Sequence, residues 1–505
     1  MTDPATGEQD APTPAPGAED PWAPEPLADR PRRVAVLGGG ITGLAAAHRL
    51  HVLDPDLQVT VLEAGDRAGG AIRTSPLHGQ PIDEAADAFL ARVPEAVALC
   101  HELGLADELT TPAARSAFVA AGGVLRRLPE GLVLGVPTDL DALAASGIVS
   151  AAGVARAAED LDRPADGPPP GVDESVGALV RRRLGDEVAD RLVAPLLGGV
   201  NAGDADRLSL AAGAPQLAAA TRGQPSLIAG LRAQRAAATT EPDAPVFHAL
   251  RGGTGTLVDA LVAALPDGTV RTATVATGID RLDAGYRIHL GRPGPPTGRP
   301  ARPAPRGHVD VDAAVVALPA WAGAAVLGTV PDLVDVAAEL AALEWASVAM
   351  AALVVRRDDV DHPLDGSGAL IPAAERRHVT ACSFGSTKWA HWGDDDHVVL
   401  RASVGHAGDD GAALAVDDAT LLARVLADLE ALVGLHGPPV ATRVSRWPRA
   451  LPQYRPGHLA RARSWQRRTW ERTPALWPTG ASYAGLGVPA CIRQGDAAAR
   501  LLLDR

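Results

Sequence analysis

Three glycines at positions 38, 40 and 43 follow the apolar run Val34 to Leu37 and lead into the alanine-rich segment Leu44 to Ala47. A run this short and this apolar suits a buried parallel strand, and the G-x-G-x-x-G spacing suits a turn from that strand into a helix. Gly38 permits the tight turn, Gly40 lets the backbone approach a pyrophosphate, and Gly43 with Ala47 lets the helix lie close on its sheet. Ile41 and Thr42 open that helix, whose unpaired amides suit phosphate oxygens. A second short strand, Val59 to Leu62, ends at Glu63, twenty residues beyond Gly43, where a carboxylate can accept ribose hydroxyls. The chemistry expected of this unit is the binding of a dinucleotide. Taken alone, the same glycines also fit an ordinary strand-turn-helix connection.

The residues just beyond Glu63 narrow that choice. Asp66-Arg67-Ala68-Gly69-Gly70 with Arg73 resembles the second diphosphate-contacting segment of the glutathione-reductase-like flavoproteins, especially the amine oxidase and protoporphyrinogen oxidase branch. The resemblance implies FAD, with Gly38, Gly40, Ile41, Thr42, Gly43, Glu63, Ala64, Arg67, Gly69, Gly70 and Ala71 at the cofactor.

A chain of 505 residues with 47% hydrophobic and 21% charged content has room for two or three domains and a large core. Its net charge of -14 argues against nucleic acid as a partner, so an anionic substrate needs a locally basic pocket. Lys388 is the only lysine, which reads as codon bias and not as function. Cys100, Cys382 and Cys491 lie too far apart in sequence for a C-x-x-C or zinc set, so no metal ligands are expected. Buried reduced thiols fit a reducing compartment, and a cytoplasmic location is expected. Residues 1–31 hold eight prolines, seven acids and one basic residue, Arg30, and read as a disordered tail without signal-peptide character. No run of about 18 apolar residues appears, which speaks against a transmembrane helix.

Beyond the first unit, Glu95 to Glu108 has helical spacing, and Asp139 to Leu217 stays mostly helical, interrupted by the proline-rich Asp162 to Gly171. Val246 to Leu250 reads as a strand returning to the nucleotide-binding sheet, followed by Arg251-Gly252-Gly253-Thr254-Gly255 and a helix over Val258 to Leu265. Val270 to Val275, Tyr286 to Leu290 and Val309 to Leu318 read as strands, with Gly291 to His308 as a mobile excursion. Ala349 to Val355 and Val398 to Val404 suit a second sheet, Asp417 to Val433 an amphipathic helix, and a last helix begins near Val488.

From about Arg33 to the C-terminus these segments resemble the HemY-type protoporphyrinogen and coproporphyrinogen oxidases. Ile82-Asp83-Glu84-Ala85-Ala86-Asp87-Ala88-Phe89-Leu90 is similar to that family's E-x-G-P-D-S-F-L, and Leu128-Pro129-Glu130-Gly131 with Gly135-Val136-Pro137 to its L-P-x-G…G-x-P. Glu174 to Asp204 is similar to its most distinctive helical stretch, and Gly480 to Ile492 to its closing flavin motif. Ala86, Ala88, Asn201 and Thr254 depart from the family pattern. The implied fold combines α/β and α+β parts: a glutathione-reductase-like Rossmann FAD domain, a mixed-sheet substrate domain and a helical insert. Residues 32–92, 246–320 and 452–505 are expected in the first, 216–245 and 321–451 in the second, and 93–215 in the insert.

The resemblance further implies that a porphyrinogen delivers hydride from a meso carbon to flavin N5, with O2 restoring the flavin over three cycles. No catalytic side chain is then needed. Val275 and Ala317 match backbone contacts to the cofactor, and Gly480, Gly487, Val488 and Pro489 place a helix N-terminus beside the isoalloxazine. Arg92, Arg115, Arg126 and Arg127 are candidates for substrate propionates, although each taken singly also suits a solvated surface. Arg181-Arg182-Arg183 reads as one solvated helix face, with peripheral membrane contact as the other reading. His458 reads as a structural histidine, Cys491 as a packed thiol, and Lys388 with Trp389 and Trp392 as either pocket edge or packing. The favoured expectation is oxidation of coproporphyrinogen III, with protoporphyrinogen IX as the alternative and ferrochelatase as a transient partner. A flavin amine oxidase or carotenoid desaturase would lack the Glu174 to Asp204 block. A flavin-free binding protein resembling the GDP-dissociation inhibitors would lack colour.

Overall fold

The computed structural model describes residues 27, 30–169, 171–237, 244–292, 304–409 and 411–503. The expected tail at 1–31 lies almost wholly outside them.

Val34 to Leu37 have no solvent exposure, the burial expected of a parallel strand covered on both faces. Arg33–Leu37 runs parallel to Gln58–Leu62 on one side and to Ala313–Val316 on the other. Val270–Arg271 and Leu476–Pro478 complete a five-stranded parallel sheet in the order Val270, Gln58, Arg33, Ala313, Leu476. Segments more than 400 residues apart in sequence thus share one sheet. Helix Ile41–Leu53 follows the glycine turn and packs against the C-terminal helix Val488–Leu503. Gly495 makes that approach close, because a Cβ there would stand 2.3 Å from the Thr42 carbonyl oxygen.

The second sheet has seven strands, running from edge strand Ala441–Pro452 through Trp345–Arg356, His397–Val404, Val379–Phe384, Gly368–Leu370 and Phe118–Ala121 to Val124–Arg127. Phe118–Ala121 and Val124–Arg127 therefore leave the expected insert of 93–215 and join this sheet. The period-two alternation of strands is the reason. Phe118 and Ala120 point into the core of the sheet, while Val119 packs into the helical layer. That layer also takes helix Leu227–Ala237, which sequence reading assigned to the substrate domain: Leu227, Ile228 and Leu231 pack with Leu179, Leu184 and Leu192.

Three further expectations change. Phe247–Leu250 pairs with Phe89–Leu90 and Leu109–Thr110 in a small antiparallel sheet and not with the parallel one. Gly291 and residues 304–308 of the supposed excursion are ladder residues, since Tyr286–Arg292 pairs antiparallel with Ala304–Val311. Residues 293–303 lie outside the described residues. The run Arg181-Arg182-Arg183 is not a uniformly solvated face. Arg181 pairs with Asp186, Asp190 and Asp206, Arg182 with Asp166 and Glu174, and Arg183, 3% exposed, with Asp160 and Asp166. Among the described residues no helix is long and apolar enough to cross a membrane.

Candidate functional site

The glycine turn is built by contacts that leave no room for side chains. Gly38 adopts φ of 102°, and a Cβ there would stand 2.5 Å from the Ala317 carbonyl oxygen. At Gly43 a Cβ would stand 2.0 Å from the Gly38 carbonyl oxygen. Gly40 differs, because a Cβ there would meet nothing within 4 Å. The backbone at Gly40 thus borders open space at the N-terminus of helix Ile41–Leu53, which has no side-chain cap and no acidic residue in its first turn. Uncapped amides beside an open glycine cradle suit a diphosphate.

Glu63 stands at the end of its strand and holds two backbone amides, those of Gly39 at 2.8 Å and Gly65 at 2.6 Å. The carboxylate is thereby fixed next to the cradle and keeps acceptor capacity on both oxygens. Gly69 donates its amide to the Gly39 carbonyl at 2.7 Å, so the segment after Glu63 closes against the glycine turn. Gly69 and Gly70 have φ of 105° and 58°, conformations that favour glycine. Arg67, expected at the cofactor, also ties its own loop together. Its Nη1 donates to the carbonyls of Ala68 and Ile72 at 2.8 and 2.9 Å, and its Nη2 to that of Gly70 at 2.9 Å. It shapes the loop that presents Gly69 and Gly70. Ala64 and Ala71 are exposed on the same loop.

Val275 follows Thr274, whose amide donates to the Glu63 carbonyl at 2.8 Å, and Ala317 backs Gly38. Gly480, with φ of 116°, faces Thr42, and a Cβ there would stand 3.5 Å from the Thr42 hydroxyl. The loop before the last helix is held by Gln494, whose Oε1 accepts from the Ala484 amide and whose Nε2 donates to the Gly485 carbonyl, each at 3.1 Å. Gly487 is exposed, Val488 half-buried and Pro489 buried at the helix start. The structure therefore brings Gly38 to Gly43, Glu63, Gly69, Gly70, Val275, Ala317 and Gly480 together, with Gly487 to Pro489 on the helix packed beside them.

The arginines are more dispersed. Arg127 is paired with Asp365 at 2.6 Å and lies 4.8 Å over the Phe118 ring. Arg126 lies beside Gly147, and Arg115 is an exposed neighbour of Ser116, which itself accepts from Arg127. Arg92 donates both Nη groups to the amide oxygen of Gln216, at 2.7 and 2.5 Å, in the Gln216 orientation that satisfies its neighbours. Burial lowers the Arg92 pKa.

A cluster that sequence reading left unassembled lies along Ile82 to Phe89. Asp83 accepts from the Thr254 amide and hydroxyl at 2.9 and 2.8 Å and from the Thr74 hydroxyl at 2.5 Å. Burial raises its pKa against the pull of those hydroxyls. Glu84 accepts from Ser75 at 2.6 Å and Ser445 at 2.9 Å. Asp87 receives the only lysine, Lys388, at 2.9 Å, Arg401 at 2.9 Å and the Trp389 indole at 3.1 Å. Burial opposes ionisation of Asp87, but the two cations outweigh it and hold the carboxyl well below the usual range. The signal in the sequence was the pair of separate observations, an acidic motif and a lone lysine followed by two tryptophans. Only the fold connects them.

His458 is fully buried, its Nε2 lies 3.0 Å from the Tyr483 carbonyl, and its ring stacks on Tyr454 at 4.1 Å. Burial pushes its pKa down to about 4, so it is a neutral structural group at pH 7. Burial likewise pushes the Cys491 and Cys100 thiols up to about 11 and that of Cys382 up to about 12.

Known proteins give this geometry a setting. The chain is 33% identical over 480 residues to the coproporphyrinogen III oxidase of Bacillus subtilis (strain 168), covering 94% of this chain and 98% of that protein. It is 36% identical over 474 residues to the coproporphyrinogen III oxidase of Mycobacterium leprae (strain TN), covering 91% and 96%. A solved structure from Exiguobacterium sp. 255-15, with a provisional protoporphyrinogen oxidase assignment, superposes with a TM-score of 0.80 at 30% identity over 94% of this chain and 99% of that one. The model of the flavin containing amine oxidoreductases matches residues 41–503. This chain, with its mixed sheets, helices and open glycine turn, belongs to the flavin containing amine oxidoreductase family.

Proposed function

We propose that this protein is an FAD-dependent coproporphyrinogen III oxidase. It converts coproporphyrinogen III to coproporphyrin III in three two-electron steps, with O2 as acceptor and H2O2 as product. The observation that carries the reading is identity of 33% and 36% to named coproporphyrinogen III oxidases across more than nine-tenths of the chain. The open cradle at Gly40 and the fixed carboxylate of Glu63 support the cofactor assignment. Bound FAD supplies a two-electron acceptor for hydride leaving carbon.

The work of the chain's own residues is binding and orientation. Gly38, Gly40, Ile41, Thr42, Gly43, Gly69 and Gly70 hold the diphosphate through backbone amides, and Glu63 accepts the ribose hydroxyls. Val275 and Ala317 border the cofactor by backbone, while Gly480, Gly487, Val488 and Pro489 present a helix N-terminus to the isoalloxazine. In this reading the parallel sheet is the core of a glutathione-reductase-like FAD domain, and the seven-stranded sheet with the helical layer forms the substrate side. Arg92 is our leading candidate for a propionate, since its partner Gln216 is a neutral amide, whereas Arg127 is already paired with Asp365. A cytoplasmic location and transient transfer of product toward ferrochelatase belong to the same proposal.

Anaerobic mixing of the purified protein with each porphyrinogen, followed by oxygen, tests the reading through flavin bleaching and porphyrin fluorescence. Faster bleaching with coproporphyrinogen III is expected. Faster bleaching with protoporphyrinogen IX would reassign the substrate, and no bleaching with either would end the proposal.

A further inference from the structure

Strands Thr74–Leu77 and Gln80–Asp83 form a hairpin whose tip is His78-Gly79, both with positive φ, at 50° and 77°. Two left-handed residues between paired strands make a type I′ turn. The tip is fastened to a distant loop by the Gly393 amide, which donates to Gln80 Oε1 at 2.5 Å. That loop carries Asp394 and His397. The Asp394 carboxylate is fixed by the amides of Asp396 at 3.0 Å and His397 at 2.7 Å, and its Oδ1 lies 3.0 Å from His397 Nδ1. Arg357 holds the same loop from outside through the Asp394 and Asp395 carbonyls, at 3.4 and 3.3 Å. The His78 and His397 rings lie 5.0 Å apart between centroids.

One ligand atom from each of His78, Asp394 and His397 falls within 4.8 Å of the others. In a tetrahedral zinc site with bonds of about 2.0–2.1 Å, ligand atoms stand roughly 3.3 Å apart. The His397–Asp394 edge, at 3.0 Å, already has that dimension. The other two edges lie within 4.8 Å, and His78, exposed at a turn tip, closes them by a change of side-chain torsion. Two imidazoles and one carboxylate with an open fourth position suit Zn2+ and its borderline neighbours better than Mg2+ or Ca2+, which prefer oxygen ligands.

We propose that His78, Asp394 and His397 form a binding site for a divalent zinc-type cation, with water as its fourth ligand. The site bridges two segments that meet again at the buried Asp87. The hairpin runs on into Asp83 and Asp87, and the loop follows Lys388 and Trp389, which hold Asp87. A bound ion therefore cross-links the hairpin to the strand-connecting loop without entering the dinucleotide cradle.

Zn2+ titration of the FAD-loaded protein by calorimetry tests the site, with His78→Asn as the variant because asparagine also suits the left-handed turn. Saturable uptake of one Zn2+ is expected, weakened about ten-fold or more in H78N. Saturating Zn2+ should also raise Tm in the wild type and raise it by less in H78N. Equal affinity in H78N, no saturable uptake, or an unchanged wild-type Tm at saturating Zn2+ would each overturn the proposal.

Discussion

A methyl group at Gly43 would stand 2.0 Å from the Gly38 carbonyl oxygen, whereas one at Gly40 would meet nothing within 4 Å. Two glycines of one motif thus have separable roles. Gly43→Ala should destabilise the fold itself by about 1–3 kcal/mol, because backbone must shift to relieve the overlap. Gly40→Ala should fold normally and lose FAD, because its methyl would fill the cradle. The ratio of absorbance near 450 nm to that at 280 nm, read beside Tm, distinguishes them: G40A loses colour with Tm of the apoprotein unchanged, and G43A loses both. His458 supplies a pH signature at the same scale. Its folded pKa, about 4, lies below the unfolded value of about 6.5, so the unfolded chain takes up the proton first and stability falls as pH drops through that window. His458→Gln removes this contribution, and the Tm advantage of wild type over H458Q should shrink between pH 6.5 and 4. The glycine roles could be read from spacing alone. The neutrality of His458 could not, since it follows from burial among Tyr454, Trp465 and Tyr483, which no spacing announces.

At the level of elements, the segment Ile82 to Phe89 is held in place by side chains of the second sheet. Asp87 joins Arg401 of the sheet and Lys388 of the adjoining short helix Gly385–Lys388, and Glu84 joins Ser445, so this segment is tied to the seven-stranded sheet by ion pairs and a hydrogen bond. Removing the carboxylate leaves two cations, 18% and 3% exposed, facing a neutral amide. Asp87→Asn should therefore cost about 3 kcal/mol in denaturant unfolding at pH 7. The depressed pKa of Asp87 fixes the sign of its pH dependence: its contribution is complete above the unfolded carboxylate value of about 3.9 and is lost as pH falls below it. The gap between wild type and D87N should narrow in acid. The pairing of Phe118 to Ala121 was not legible in the sequence, because its parallel neighbour at Gly368–Leu370 lies some 250 residues away.

Over the whole molecule, the cradle draws on residues 38–43, 63–70, 275, 317 and 480, and the sheet beneath it on strands from residue 33 to residue 478. Such a site can form only when chain ends distant in sequence have met. Flavin release, followed by the rise in flavin fluorescence, should coincide with global unfolding on heating, and added FAD should raise Tm in proportion to its excess over Kd. Release well below the unfolding transition would show that the C-terminal helix Val488–Leu503 detaches on its own.

Local pattern was enough to determine the strand, glycine turn and helix of the first unit, the last helix and the family likeness, because turn glycines, strand ends and helix starts obey rules that act over a few residues. Tertiary structure alone decided that Arg183 is buried, that Lys388 neutralises Asp87, and that His78 stands beside His397. Each of those depends on which charges meet after long-range closure. The free energy of an ionised side chain is set by its buried neighbours, and sequence order does not state who they are.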